Sequence, residues 1–351
     1  MNPPIFAAAS GIWKLRKAYN YQAESAWPAQ QGQQNAFFSS SYPYGPIVQT
    51  VVYVSYGGVV SDITPIPGAG KDISVGTSYG GDRALLGFGS PCFTGTCTGY
   101  TSDVQHVTNE GIFGIDTTTV ASGRQQPGSC TYGGDKAMIA FGYTGAYSNI
   151  TNTITNQGVV NSDNSGVGTG RYVCNGLGYG GDKGIFAYGF HASGGPYVWL
   201  NVSNLVSNTG TLASDTAGVG TARGYTGTAG YGGDKGIFLS GGVGPGGPYT
   251  VQQLYNLVSN TGVVQTDTSW TSGIARMFQC NGGATYDSDK AIFIGGFTYS
   301  TQTGSIGGTP GMYVYTNNVT KFSNTGTFSS EYTLAGQLNV ASGAANFGGS
   351  R

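Results

Sequence analysis

A tight-turn motif recurs along this chain at a spacing near 50 residues, and that spacing limits the folds open to it. Tyr79-Gly80-Gly81-Asp82-Arg83 returns as Tyr132-Gly133-Gly134-Asp135-Lys136, Tyr179-Gly180-Gly181-Asp182-Lys183 and Tyr231-Gly232-Gly233-Asp234-Lys235. Tyr286-Asp287-Ser288-Asp289-Lys290 is a degenerate fifth copy. Successive aspartates are 53, 47, 52 and 55 residues apart. A short apolar run ending in glycine follows each copy, as in Ala137-Met138-Ile139-Ala140-Phe141-Gly142 and Gly184-Ile185-Phe186-Ala187-Tyr188-Gly189. Runs of that length between turn residues read as buried strands. A second turn then recurs: Asn109-Glu110-Gly111, Asn156-Gln157-Gly158, Asn208-Thr209-Gly210, Asn260-Thr261-Gly262 and Asn324-Thr325-Gly326. Each unit therefore reads as four short strands, the size of a propeller blade. The chain beyond residue 35 holds about six such units.

The ends predict how the ring closes. Phe347-Gly348-Gly349-Ser350-Arg351 matches the turn motif, but no strand follows it. Asn35 to Ser41 has the character of the missing strand, and Val54 to Val60 that of the next one. The expected fold class is all-β: a six-bladed β-propeller of four-stranded blades. N-terminal strands complete the C-terminal blade, which leaves no open sheet edge. Residues 1–34 form a short extension, and residues 35–351 the propeller.

Composition narrows the function. Fifteen basic and 16 acidic side chains give a net charge of −1, without the cationic excess that phosphate neutralisation requires. Nucleic acid is therefore not an expected partner. No stretch approaches the roughly 20 apolar residues of a membrane span, and Met1 to Ser10 lacks the basic start and long apolar run of a secretory signal. His106 and His191 lie in different repeats without metal-ligand spacing, so no metal and no cofactor is expected. The glutamates are Glu24, Glu110 and Glu331, and the aspartates outside the turns read as scattered, so a paired-carboxylate hydrolase is not expected. Asp82, Asp135, Asp182, Asp234 and Asp289 read as turn residues bonding local backbone, each beside a cation, rather than as calcium ligands. The recurring Arg124, Arg171, Arg223 and Arg276 read as hydrogen-bond donors between blades. Cys92 and Cys97 bracket one loop at a spacing that allows a disulfide, whereas Cys130, Cys174 and Cys280 read as small buried residues.

Alternation of strands sends both recurrent turns to one face. The opposite face receives loops that differ from repeat to repeat and carry Phe93, Tyr100, Tyr147, Tyr197, Trp199, Tyr249, Tyr299, Tyr313 and Tyr315. Variable loops on a rigid scaffold are common recognition sites, and tyrosine and tryptophan supply large rigid contacts with a polar tip. Part of these rings is expected to pack on neighbouring blades and part to meet a ligand.

The Asp-Lys, Ile/Phe strand and double-glycine pattern resembles kelch-type propellers. That likeness implies that the strand before each Asp is innermost and the double-glycine strand second. Upstream, Gly11-Ile12-Trp13-Lys14-Leu15 leads through Tyr19 and Tyr21 to Trp27-Pro28, with a helix plausible over residues 12–24. This opening is similar to that of phage virion proteins, especially tail-associated ones. The resemblance implies a non-enzymatic virion protein, a tail-fibre or baseplate-associated adhesin located at the tail periphery. Trp13, Leu15, Tyr19, Tyr21, Trp27 and Pro28 would dock on other virion subunits, and the loop face would meet a host surface glycan or protein, or a neighbouring subunit. A cellular or secreted kelch-like interaction scaffold is the alternative, ahead of a capsid decoration protein or a carbohydrate-active enzyme.

Overall fold

The computed structural model describes residues 35–40, 50–61, 64–68, 71–72, 74–93, 96–97, 99–192, 195–244, 249–271, 273–278, 282–299, 313–329, 331–334 and 341–347. Trp13, Leu15, Tyr19, Tyr21, Trp27 and Pro28, the helix expected over 12–24, and Cys280 lie outside the described residues. Among the described residues the regular structure is all β, arranged in small antiparallel sheets without a helix.

Six sheets of three or four strands carry the repeat. In the first, Val75–Tyr79 pairs with Arg83–Gly87, which pairs with Val104–Val107. The second joins Gly128–Tyr132, Lys136–Ala140 and Thr151–Ile154 in the same order, and the third joins Asn175–Tyr179, Lys183–Ala187 and Ser203–Val206. The fourth runs through Gly227–Tyr231, Lys235–Leu239, Leu254–Val258 and Thr268–Ser269. The fifth runs through Gly283–Tyr286, Lys290–Ile294, Asn318–Phe322 and Tyr332–Thr333. The sixth combines both halves of the chain: Ala341–Phe347 pairs with Asn35–Ser40, then come Thr50–Val54 and Thr64–Pro65. Asn35 lies opposite Phe347 as Arg83 lies opposite Tyr79, so the register of the motif is kept across the two ends.

The second strand of each sheet is a continuous apolar run because both of its faces are covered. Ala137 to Ala140, Gly184 to Ala187 and Ala291 to Ile294 are all buried. Apolar side chains accordingly collect between neighbouring sheets. Leu85 and Val75 of the first sheet meet Ala137 and Ile139 of the second, Met138 of the second meets Phe186 of the third, and Leu177 of the third meets Phe238 of the fourth. Ile237 and Leu239 then meet Phe293 of the fifth, Ile292 meets Phe38 of the sixth, and Phe37 meets Leu86 of the first. The first strands touch in the same sequence: Val75–Tyr79, Gly128–Tyr132, Asn175–Tyr179, Gly227–Tyr231, Gly283–Tyr286, Ala341–Phe347 and back to Val75–Tyr79. They surround a cavity of about 400 Å³ lined by small polar residues, Thr77, Thr131, Thr285 and Asn346 among them.

Candidate functional site

The turn end of the strands is a structural network that links five turns in series. In the Gly-Gly-Asp loops both glycines adopt positive φ, 61–66° at the first and 80–84° at the second. Asp287 and Ser288 take the same conformation, at 51° and 63°, so the degenerate copy keeps the turn. The first glycine's N–H of each loop donates to the aspartate carbonyl of the next: Gly80 to Asp135, Gly133 to Asp182, Gly180 to Asp234 and Gly232 to Asp289, at 2.6–2.7 Å. The carboxylates do not mainly serve local backbone, as the sequence suggested. Asp135, Asp182, Asp234 and Asp289 instead accept from the amides of Asn156, Asn208, Asn260 and Asn324 at 2.7–3.1 Å, which ties the two recurrent turns of a sheet together. Arg83, Lys136 and Lys183 pair with Asp82, Asp135 and Asp182, while Lys290 turns to Asp287. Tyr79, Tyr132 and Tyr179 then cover Gly158, Gly210 and Gly262 of the next sheet, where a Cβ would lie 2.7–2.8 Å from the ring.

The other end is held by buried arginines. Arg124, Arg171, Arg223 and Arg276 are without solvent exposure. Arg223 donates to Asn256 Oδ1 at 2.6 Å, Ser240 O at 2.7 Å and Thr221 O at 3.0 Å, and its guanidinium sits 4.1 Å from the Tyr188 ring centre. Arg171 repeats the arrangement with Asn204, Thr169 and Phe141. The side-chain hydrogen bonds of Arg124, Arg171 and Arg223 run to the sheet each arginine leads into, not between blades as the sequence suggested; the preceding sheet is reached through the aromatic ring beneath each guanidinium. The aromatic partners Phe88, Phe141 and Tyr188 have φ of 59–65°, and a glycine of positive φ follows each. The N–H groups of Gly89, Gly142 and Gly189 donate to the carbonyls of Arg124, Arg171 and Arg223. The left-handed pair thus turns the strand end under the arginine of the next sheet. Burial drives the Arg124 guanidinium down to about 10, with Asp163 opposing the shift.

The aspartates outside the turns are not scattered. Gln105 and Asp116, Asn152 and Asp163, Asn204 and Asp215, Asn256 and Asp267, and Thr320 and Glu331 recur at one interval of eleven residues. The three asparagines each donate to their aspartate at 2.8–2.9 Å, and Asp215 and Asp267 also accept from Thr169 and Thr221. Glu331 pairs with Arg276, and Lys71 with Asp116. Burial works against the charge of Asp215, yet Thr169, Asn204 and Arg171 outweigh it and hold the carboxyl below its ordinary value. These acids are structural anchors.

Beyond the arginines the strand ends open onto a belt of aromatic rings. Tyr100, Tyr143, Tyr147 and Tyr172 lead to Phe190, with centroid steps of 5.5–6.0 Å. Phe190 touches Tyr197 at 4.6 Å and Trp199 at 4.8 Å. Trp199 leads to Tyr249, Tyr225, Phe297 and Tyr315 in steps of 5.6–6.2 Å. Phe190, Tyr225 and Phe297 are buried and fix the belt, while Tyr197 and Tyr100 expose 36% and 37% of their surface. The Trp199 indole N–H donates to Gly244 O at 2.8 Å. Burial, with Tyr197, Tyr143 and Tyr249 close by, pushes the Tyr147 hydroxyl above its usual range.

Of the rings singled out in the sequence, Tyr100, Tyr147, Tyr197, Trp199, Tyr249 and Tyr315 join this belt. Phe93, Tyr299 and Tyr313 lie in the strands Ser90–Phe93, Phe297–Tyr299 and Tyr313–Tyr315, with side chains outside the described residues. Cys92 and Cys97 stand opposite each other in backbone register, their side chains likewise outside. Cys130 and Cys174 are buried thiols. His106 accepts from or donates to the Tyr79 hydroxyl through Nδ1 at 2.9 Å, and His191 lies opposite Val198 in a two-residue strand pair. Sequence reasoning missed Tyr143, Tyr172, Phe190, Tyr225 and Phe297. Their signal was positional: Tyr143, Phe190 and Phe297 each follow the glycine that ends a second strand, and Tyr172 follows a buried arginine.

No protein-family model and no curated protein matches this chain. Among solved structures it is similar to that of YjhT, with 12% identity and a TM-score of 0.51, covering 78% of this chain and 88% of the other. At that identity the likeness concerns the fold.

Proposed function

We propose that the chain is a six-bladed β-propeller that works as a non-enzymatic recognition component of a bacteriophage virion, associated with the tail or baseplate. Residues 1–34 dock on a neighbouring virion subunit, and residues 35–351 form the propeller, whose aromatic belt meets the host surface or a second subunit. The observation that carries this reading is polarity. Asn35 takes the place of Arg83 and Lys136 beside the recurrent turns, so residues 1–34 join the domain at the turn face. The aromatic belt lies at the other ends of the same strands, across roughly 17 Å of five-residue strand. On this reading, an anchor that leaves the domain at Asn35 and a recognition surface at the far strand ends lie on opposite faces, which suits an adhesin.

The turn face has a docking character of its own. Val59, Ile112, Val159 and Val263 each follow a recurrent turn and expose 70%, 64%, 55% and 61% of their surface. Exposed apolar residues repeated around one face suit contact with another subunit. The carboxylates of Asp135, Asp182, Asp215, Asp234, Asp267, Asp289 and Glu331 are engaged by asparagine, threonine, lysine and arginine, which favours a scaffold over acid–base chemistry.

Electron microscopy of purified particles, with mass spectrometry of their proteins, tests this reading. The expected result is this chain at fixed copy number with its turn face against a neighbouring subunit. A chain found free in the lysate and absent from particles overturns it.

A further inference from the structure

The chemistry of the aromatic belt narrows what it binds. The loops at that face, residues 89–103, 142–150, 189–201, 242–253 and 296–317, contain no lysine and no arginine, and only Asp103 and His191 carry titratable groups other than tyrosine and cysteine. The nearest arginines are buried and committed to Asn204, Asn256 and backbone carbonyls. Lys71, whose strand pairs with Ser90–Phe93, is buried and paired with Asp116, so an anionic polymer would meet no exposed cation in these loops, although phosphate and carboxylate recognition depends on one. What the face does offer is a row of amphipathic rings. Each tyrosine presents an apolar body and a hydroxyl tip, and the centroid steps of 4.6–6.2 Å continue over the second, third, fourth and fifth sheets.

We infer that the belt is the binding site of a neutral, extended saccharide chain, with Tyr143, Tyr147, Tyr197, Trp199 and Tyr249 forming its central subsite. This rests on the loop-face recognition reading above. A sugar ring is amphipathic in the same sense as tyrosine, with an apolar C–H face and a hydroxyl rim. Its C–H faces pack on the rings, and its hydroxyls exchange hydrogen bonds with the tyrosine hydroxyls, which donate and accept. Three buried rings hold the exposed ones in place before any ligand arrives, so little side-chain freedom is lost on binding. The Trp199 indole is fixed by Gly244 O for the same reason. The row of rings suits a chain of sugars better than a single one.

The test is native electrophoresis of the full chain through gels cast with dextran, laminarin, pullulan or galactomannan, and separately with alginate. The expected result is retardation by at least one neutral polysaccharide, which persists at high salt because no ion pair is involved. Tyr197→Ala weakens the apparent affinity about tenfold, the equivalent of one lost aromatic contact, and Tyr197→Phe weakens it less. Tyr197 is partly exposed, so its variants keep the fold, which a thermal melt verifies. Val59→Ser on the turn face leaves retardation unchanged. Retardation by alginate alone, retardation by none of the gels, or retardation indifferent to both Tyr197→Ala and Tyr100→Ala overturns the inference. So does capture of the belt by a host protein with no saccharide effect. The gel assay uses the isolated chain, so its outcome is independent of whether the chain is found in particles.

Discussion

Replacing Arg223 by methionine isolates what the buried arginines do. Methionine keeps most of the length and none of the donors. Asn256 Oδ1, Ser240 O and Thr221 O lose their partner, and Asp267, 3.9 Å from the guanidinium, loses its nearest counter-charge. Removing one member of a buried ionic network costs about 3–5 kcal/mol, and about 4 kcal/mol is expected here. Arg124 provides the internal comparison. It donates only to Ser122 O and Ile139 O, at 3.1 and 3.2 Å, while its Nε and Asn152 Oδ1 have no partner. With fewer and longer bonds, Arg124→Met is expected to cost about 2 kcal/mol. Unfolding entropy near 2.1 cal/mol/K per residue gives about 0.7 kcal/mol/K for this chain, so Tm falls by about 5–6 °C for Arg223→Met and about 3 °C for Arg124→Met. Scanning calorimetry at one scan rate measures both. Equal shifts, or the larger shift at Arg124, would refute the view that the arginine side-chain hydrogen bonds set the stability of these sites.

Three further outcomes follow from the same contacts. Phe141→Gly relieves a positive φ of 65° but removes a fully buried ring lying under Arg171, and a net loss of about 3 kcal/mol in urea unfolding is expected; a gain in stability would sink the packing argument. Asp215 and Asp267 have folded pKa values below 3.8, so the stability they confer is complete above their unfolded pKa and disappears as pH falls through the folded value. Tm should therefore drop below about pH 4 more steeply in the parent than in Asp215→Asn or Asp267→Asn, and parallel curves would count against it. A chain beginning at Asn35 should melt like the full chain, whereas one beginning at Ser55 leaves Ala341–Phe347 without its partner strand and should aggregate on size-exclusion chromatography; a monomeric product from the second would contradict the pairing that joins the ends.

The turns were legible because they demand backbone conformations that few residues adopt. Glycine at positions 80, 133, 180 and 232, and Asp-Ser in the degenerate copy, record a left-handed turn directly in the sequence. The buried second strands were legible for a related reason: two covered faces leave no polar alternation. The carboxylate interval was present in the sequence and escaped notice because its members differ in chemistry. Asn204 and Asp215 become Thr320 and Glu331 in the fifth sheet, where the longer glutamate makes up for the shorter threonine; at the same interval in the first sheet, Gln105 donates to Gly114 O and Asp116 pairs with Lys71. Only the bonds reveal that the asparagine–aspartate pairs and Thr320–Glu331 do the same work.

Five rings of the aromatic belt, Tyr143, Tyr172, Phe190, Tyr225 and Phe297, escaped for the opposite reason. The slot after the glycine that ends each second strand holds Ser90, Tyr143, Phe190, Gly242 and Phe297. No repeat pattern marks it, and a ring there gains meaning only from the neighbouring sheet, as when Tyr172 faces Phe190 or Met277 faces Phe297. The contrast bears on function. Where the scaffold needs a residue, the chain repeats it from sheet to sheet: turn glycine, buried arginine, paired acid. At the far ends of the strands that repetition lapses, and the side chains that replace it are rings with hydroxyl tips rather than charges. Stability does not call for partly exposed tyrosines in series, since the sheets are already tied by arginines beneath them. On the proposed reading, the belt is the part of the surface that a ligand has shaped.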